Sequence, residues 1–248
     1  MSPQKTHSQK TPTKTSSSKS TQIPNSATIF PGRDGLGAYI VSPSSFPSSR
    51  VLSYSDTFVT IHDLFPKSSI HLLLLPRDES KTRLHPFDAF EDANFLASVR
   101  TEADNVKALA SAELRRLFGS SSVTERKRRE AMDSGEGESL PEGRDWSQEF
   151  MVGVHAHPSM AHLHVHIISR DRVSECMKHR KHYNSFATPF LVPLEDFPLT
   201  RQDVRRHPGR EGYLEKELTC WRCGERFGNR FARLKAHLQE EFERWKQV

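Results

Sequence analysis

His162-Leu163-His164-Val165-His166-Ile167-Ile168 decides how this chain is read. Its histidines recur every second residue, and apolar residues fill the positions between. On a strand that period sends neighbouring side chains to opposite faces. Leu163, Val165 and Ile167 then face a core, and the three imidazoles share the other face. One strand histidine is ordinary packing. Three on one face, beside a buried strand, are hard to explain by packing. Two chemistries want such a row. Strand histidines could ligate zinc in a hydrolytic site. Alternatively, a neutral imidazole could attack phosphorus and hold it as a phosphoramidate, splitting one displacement into two. Periodicity leaves both open.

Working outward, Phe150 to Val154 and His162 to Ser169 read as strands joined by His155-Ala156-His157-Pro158-Ser159-Met160. Thr57 to Ile61 is rich in β-formers, Asp63 to Ser68 is a turn, and Ile70 to Leu75 is an apolar strand covered on both faces. Pro86 to Phe118 reads as helix. Phe87, Phe90, Leu96, Val99, Val106, Leu109, Leu114 and Leu117 approximate its apolar stripe. Gly35 to Val41 is a short helix or a loop entering a strand. Residues 119–148 are polar and Gly-rich and are expected to be an inserted mobile loop. Residues 186–218 are irregular, and Arg230 to Trp245 is helix-like. The fold class expected is α+β: an antiparallel sheet with a long helix, plus a small finger module.

The 248 residues are 35% hydrophobic and 27% charged, so one core forms and some chain stays outside it. Residues 1–28 hold four Lys, no acid and almost no large apolar side chain, and are expected to be disordered, with order starting near Ile29. Of the net +5, the stretch from Lys178 onward supplies an excess of five cations, while the middle of the chain nets −4. Basic ends suit an anionic partner. Three Cys, two of them in Cys220-Trp221-Arg222-Cys223, are no disulfide framework and point to a reducing compartment. No apolar run reaches the ~18 residues of a membrane span, so no membrane partner is expected. Arg126-Lys127-Arg128-Arg129 is the kind of cluster that serves as a nuclear import signal.

The row His162-Leu163-His164-Val165-His166 resembles the His-x-His-x-His motif of the histidine-triad superfamily. Asp63 to Pro76 resembles that family's first nucleotide-binding turn and strand. His155 to Met160 before the row, Lys178-His179-Arg180-Lys181-His182-Tyr183-Asn184-Ser185-Phe186 after it, and a C-terminal finger together resemble the aprataxin type, over residues 33–248. The resemblance implies a histidine-triad sheet and a DNA 5′-adenylate hydrolase acting in single-strand break repair in the nucleus. His164 would be the nucleophile on the α-phosphate of the adenylate. His162 and His166 would shape the site, and His155 would assist the leaving group or the water. Asp63, Phe65, Lys67, His71, Ser159, Met160, Lys178 and His182 would bind substrate. No catalytic metal is implied. Arg33 begins a segment that resembles the helix probing the base stack. Longer members carry an N-terminal phosphopeptide-binding domain, which residues 1–28 do not suggest. The expected organisation is a tail (1–28), a catalytic domain (29–200) and a finger (201–248), in a monomer whose partners are DNA and AMP.

Cys220-x2-Cys223-x13-His237 resembles a two-Cys, two-His zinc finger with Phe227 and Leu234 in its core. No second His follows. Glu241 lies one helical turn past His237 on the same face, and a carboxylate can complete a tetrahedral zinc site. Some aprataxin-type proteins carry such a fourth ligand, which supports Glu241, with Glu240 as the alternative. Arg222, Arg226, Arg230, Arg233 and Lys235 are candidate DNA phosphate contacts. Two other readings remain: a hydrolase of small nucleotides such as adenosine phosphoramidate or dinucleoside polyphosphates, and a non-catalytic zinc-finger DNA-binding protein.

Overall fold

The computed structural model describes residues 32–135 and 139–248, and the expected disordered tail lies outside them. The helices are α1 (Gly37–Val41), α2 (Pro86–Ala89), α3 (Ala93–Phe118), α4 (Val123–Ser134), α5 (Arg180–Ala187), α6 (Pro208–Glu211) and α7 (Phe231–Gln247). The strands are β1 (Val51–Tyr54), β2 (Phe58–His62), β3 (His71–Pro76), β4 (Phe150–His155), β5 (Val165–Ser169), β6 (Leu191–Pro193), β7 (Leu218–Thr219) and β8 (Arg226–Gly228). The first six strands form one antiparallel sheet in the order β1-β2-β3-β5-β4-β6, and β7 and β8 form a hairpin. The expected α+β class is met.

β3 sits centrally, and each of its residues is buried because both faces are covered. Leu72 and Leu74 join Leu163, Val165 and Ile167 against α3, while Leu73 and Leu75 join Val59 and Ile61 against α1. Fully burying each such leucine stabilises the fold by roughly 1.5–3 kcal/mol, which is why an apolar run of this length becomes the sheet's spine. The Asp92 carboxylate caps α3 by accepting from the Asn94 and Phe95 amides, so the helical stretch breaks before residue 93. Within the expected stripe, Leu109 and Leu117 are 58% and 41% exposed, and Ala103 and Ala110 take the buried positions. Small residues let the helix approach the sheet, and the two leucines fall off that face.

Three expectations need correction. First, β5 begins at Val165, not at His162. The Leu163 amide donates to the Thr82 carbonyl at 2.7 Å and the Ala161 amide to the Arg33 carbonyl at 2.8 Å, so loops and not β3 hold this backbone. Second, the 119–148 segment contains α4, capped by the Ser122 hydroxyl on the Glu125 amide. Glu125 is buried and accepts from Arg115 at 2.8 Å and from the Trp146 indole at 3.0 Å, so the polar sequence hides one paired anchor. Third, the finger expected at 201–248 shares a core with the sheet. Trp245 of α7 is buried in the same core as the sheet and packs edge-on to Phe118 and Trp146. The Arg144 guanidinium lies between the Trp146 and Trp245 rings, 4.3 and 4.7 Å from their centroids. Glu149 accepts from Arg144 and from the Trp245 indole, both at 2.7 Å.

Trp245→Ala should therefore destabilise the whole domain by about 3–5 kcal/mol in urea unfolding, in a single transition. A loss below about 1 kcal/mol, or a separate early transition for the finger, would contradict the shared core.

Candidate active site

The sheet register brings four histidines together. Leu73 of β3 pairs with His166 of β5, and His166 pairs with Gly153 of β4, which places His71 and His155 diagonally beside it. The His166 ring centroid lies 5.2 Å from that of His71, 4.3 Å from His155 and 5.0 Å from His164. Phe186 of α5 packs against His71, His155 and His166 at 5.3, 4.8 and 5.3 Å. Gly153 is required at its place, since a Cβ there would clash with the Val192 carbonyl oxygen.

Hydrogen-bond partners assign the tautomers. The Lys67 amide donates to His71 Nδ1 at 3.2 Å, so neutral His71 carries its proton on Nε2. That nitrogen lies 2.9 Å from His166 Nδ1, which must accept, so His166 carries its proton on Nε2. His166 Nε2 is buried with no partner among the described residues. His164 is set the opposite way. Its Nδ1 lies 2.7 Å from the His162 carbonyl, which can only accept. Nδ1 is thus the protonated atom, and Nε2 keeps a lone pair with no hydrogen-bond partner among the described residues. The site pairs a free nucleophilic nitrogen with an unspent donor.

Burial is the largest cause of the depressed pKa of every histidine in the cluster. It lowers His71 to about 4, His155 and His166 well below the ordinary value, and His164 below it. All four are neutral at pH 7, as the tautomer chain requires. Potential ligand atoms gather within 4.8 Å in two groups among the described residues: Asp63, His71 and His166, and separately Cys220, Cys223 and His237. The row His162, His164, His166 forms no such group, which removes the metal reading of the row itself.

The cluster opens into a cleft of about 1320 Å³. Asp63, Phe65, Lys67, His71, Ser159, Met160, His155, His164, His166, His182 and Arg33 line it, as expected. His162 and Lys178 do not. The His162 ring instead packs against Gly37, where a Cβ would come within 3.0 Å of it. Arg222, Arg226, Arg230, Arg233 and Lys235 also lie outside the cleft lining. Sequence reasoning missed Arg50 and Arg210, which carry no motif, and Lys181, which sits inside the quoted segment after the row. With Arg33 and Lys67 they give the cleft five formal cations against Asp63 and Glu215.

In the finger, Gly224 takes a left-handed φ of +78° that lets its amide reach the Cys220 carbonyl at 3.0 Å, turning the chain between the two thiols. Cys223 Sγ lies 3.2 Å from His237 Nε2. Two thiols and an imidazole on a hairpin and a facing helix are the donor set zinc prefers, so Cys220, Cys223 and His237 hold a structural zinc. Glu241 is buried on α7, but its carboxylate is not in this group. It accepts from Arg222 at 2.6 Å and from Arg244, and the Arg222 contact holds its pKa down. Arg222, expected to contact DNA, is thus engaged internally.

The sheet, the histidine row and the finger define a histidine-triad hydrolase with an appended zinc site. Residues 47–173 match the HIT domain family, and residues 187–244 match the C2HE / C2H2 / C2HC zinc-binding finger. The chain belongs to the aprataxin-like histidine-triad family. It is 36% identical to an aprataxin-like protein of Schizosaccharomyces pombe, covering 86% of this chain and 82% of that one. It is 35% identical to an aprataxin-like protein of Saccharomyces cerevisiae, covering 85% and 95%. Among solved structures, an aprataxin ortholog in complex with DNA superposes with a TM-score of 0.67 at 33% identity, covering 86% of this chain and 96% of that one. The same ortholog with DNA and guanosine gives 0.67 at 34%, covering 87% and 99%. Proteins of this family are nucleotidyl hydrolases, and the cluster offers an unprotonated imidazole nitrogen and an unspent N–H donor that suit such chemistry.

Two outcomes follow. Depressed histidine pKa values mean the folded chain binds fewer protons than the unfolded chain below pH 6.5. The cluster's contribution to stability is thus full above 6.5 and is lost as pH falls toward about 4, the value set by His71. Denaturant midpoints should fall through that window, and a flat profile would refute the neutral cluster. Cys223→Ser should lower the bound zinc measured by elemental analysis and the thermal midpoint together. Unchanged zinc content would count against this ligand.

Proposed function

We propose that the chain removes AMP from 5′-adenylated DNA ends left by abortive ligation, through a covalent adenylyl group on His164. The observation that carries this is the carbonyl-locked His164, whose Nε2 lone pair opens into a cationic cleft beside the unspent His166 Nε2–H. His164 Nε2 attacks the α-phosphorus, the phosphoanhydride P–O bond breaks, and the DNA 5′-phosphate leaves. Water then attacks the same phosphorus, the P–N bond breaks, and AMP departs as the imidazole becomes neutral again. The leaving phosphate is already stable as an anion, so positioning and charge neutralisation supply most of the acceleration.

In this reading His166 donates from Nε2 to a phosphate oxygen, with His71 fixing its tautomer. Lys67, Ser159 and His182 contact phosphate oxygens, Asp63, Phe65 and Met160 hold the nucleoside, and His155 serves the leaving group or the water. His162 contributes its carbonyl, not its ring, to the nucleophile. Lys178 shapes the loop through its amide, which donates to His182 Nδ1 at 3.3 Å. Arg33 meets the DNA end, while Arg226, Arg230, Arg233 and Lys235 meet the duplex beyond the cleft. Glu241 is our proposed fourth zinc ligand, supported by the C2HE type of the matching finger. In this reading the protein acts in the nucleus, where single-strand breaks are repaired.

Nicked duplex carrying a 5′-adenylate and free adenosine phosphoramidate, assayed side by side, test the assignment. The protein should release AMP from the nick with the higher kcat/KM. His164→Ala should lower that rate by roughly a thousandfold or more. Turnover confined to the phosphoramidate would move the assignment to small nucleotides, and DNA binding without AMP release would remove the enzymatic reading.

A further inference from the structure

Arg172 is a buried cation that the chemistry above does not use. It follows β5 with a left-handed φ of 52°, an unusual backbone for a side chain other than glycine. Its amide donates to the Ser68 hydroxyl at 3.0 Å, which anchors it beside the turn leading to His71. No carboxylate pairs with its guanidinium among the described residues, and its Nε is buried without a partner. Burial pulls its pKa down to about 10, so it is still charged at neutral pH. A buried charge without a counter-ion is costly, and apolar packing alone would not favour it.

The guanidinium makes contacts that join two parts of the molecule. Nη2 donates to the Phe186 carbonyl at 2.9 Å. Its Cζ lies over the Trp221 and Tyr183 rings, 5.3 and 5.8 Å from their centroids. Trp221 sits between the zinc ligands Cys220 and Cys223. The Tyr183 hydroxyl donates to the Thr219 carbonyl at 2.8 Å and accepts from the Trp221 amide at 3.0 Å. Phe186, held by its carbonyl on one side, covers His71, His155 and His166 on the other.

We infer that Arg172 is a positioning residue that ties the zinc hairpin to Phe186, so that the finger holds the cover of the histidine cluster in place. The inference rests on the catalytic reading of that cluster, and it makes the finger part of the site's construction even for a substrate too small to touch it. Arginine suits the place because its broad, delocalised cation lies over the indole while its fork donates to a carbonyl. The point charge of lysine cannot reach both partners with the same geometry.

Loosening Phe186 admits water to imidazoles whose pKa values are depressed chiefly by burial. The other titratable groups around them are Asp63 and Lys67 from the turn before β3, His164 before β5, and His182 on α5, and none of these is altered by changing Arg172.

The test compares Arg172→Met, Arg172→Lys and Tyr183→Phe with the parent zinc-loaded chain. On adenosine phosphoramidate, Arg172→Met should lower kcat by roughly tenfold or more with KM held within about twofold, since small misplacements of reacting groups are costly. Arg172→Lys should recover part of the loss. In NMR titrations the cluster imidazoles of Arg172→Met should titrate closer to 6.5 than in the parent, a readout that needs no turnover and so stands if the enzymatic assignment fails. Tyr183→Phe keeps the ring and tests the same tie if Arg172→Met does not fold, with the same upward movement expected. Folded, zinc-loaded variants with parental kcat and parental imidazole titration would overturn the inference.

Discussion

The hydrogen bond between His164 Nδ1 and the His162 carbonyl selects one nitrogen of one imidazole, and the surrounding structure serves to preserve that selection. A carbonyl has no proton to give, so the tautomer cannot invert while the bond lasts. The bond needs the backbone of 162–164 held off the regular ladder, and the Thr82 and Arg33 carbonyls hold it there. The Nε2 lone pair also needs a neutral ring; the carbonyl bond itself favours the charged form, and burial outweighs it, holding the His164 pKa down.

The same logic runs in reverse through His71. An amide, which can only donate, fixes its Nδ1 as acceptor and pushes the proton along to His166. Two backbone groups of opposite polarity therefore set two side chains in opposite tautomers, leaving one a free lone pair and the other a free N–H. Cations from distant segments then gather around the pair. Lys67 comes from the turn before β3, Arg50 from the entry to β1, Lys181 from α5 and Arg210 from α6. No single segment is strongly basic at the cleft, and the field arises only from folding.

Much of this was legible in residue order. The two-residue period of the row correctly assigned Leu163, Val165 and Ile167 to the core, and the four-leucine run correctly announced a doubly covered strand. The thiols and His237 were legible because metal ligation imposes spacing. The cleft lining around Asp63, Ser159 and His182 came through family resemblance. What stayed hidden depended on contacts between remote segments. A strand period cannot show that His162 leaves the ladder, because tertiary hydrogen bonds decide it. Arg144 between two indoles, Glu125 buried under a polar helix and Arg172 under the finger all look like surface residues in one dimension. β1 and β6 are short, and nothing in their composition separates them from loop. Glu241 was legible by its spacing of one helical turn from His237, but its ion pairs with Arg222 and Arg244 were not, because they join the hairpin to α7.

Phe186 imposes opposite demands on the two halves of the proposed reaction. A dry cover favours the first half, because an imidazole shielded from solvent meets phosphorus without competition and its adenylyl adduct is not wasted. The second half needs a water at that same phosphorus. A lid of aromatic carbon fixed from behind cannot supply it, so the water must enter from the open side of the cleft, where the departing DNA end has just made room. In the proposed reaction the second half therefore depends on the open side of the cleft, where water enters as the DNA end departs.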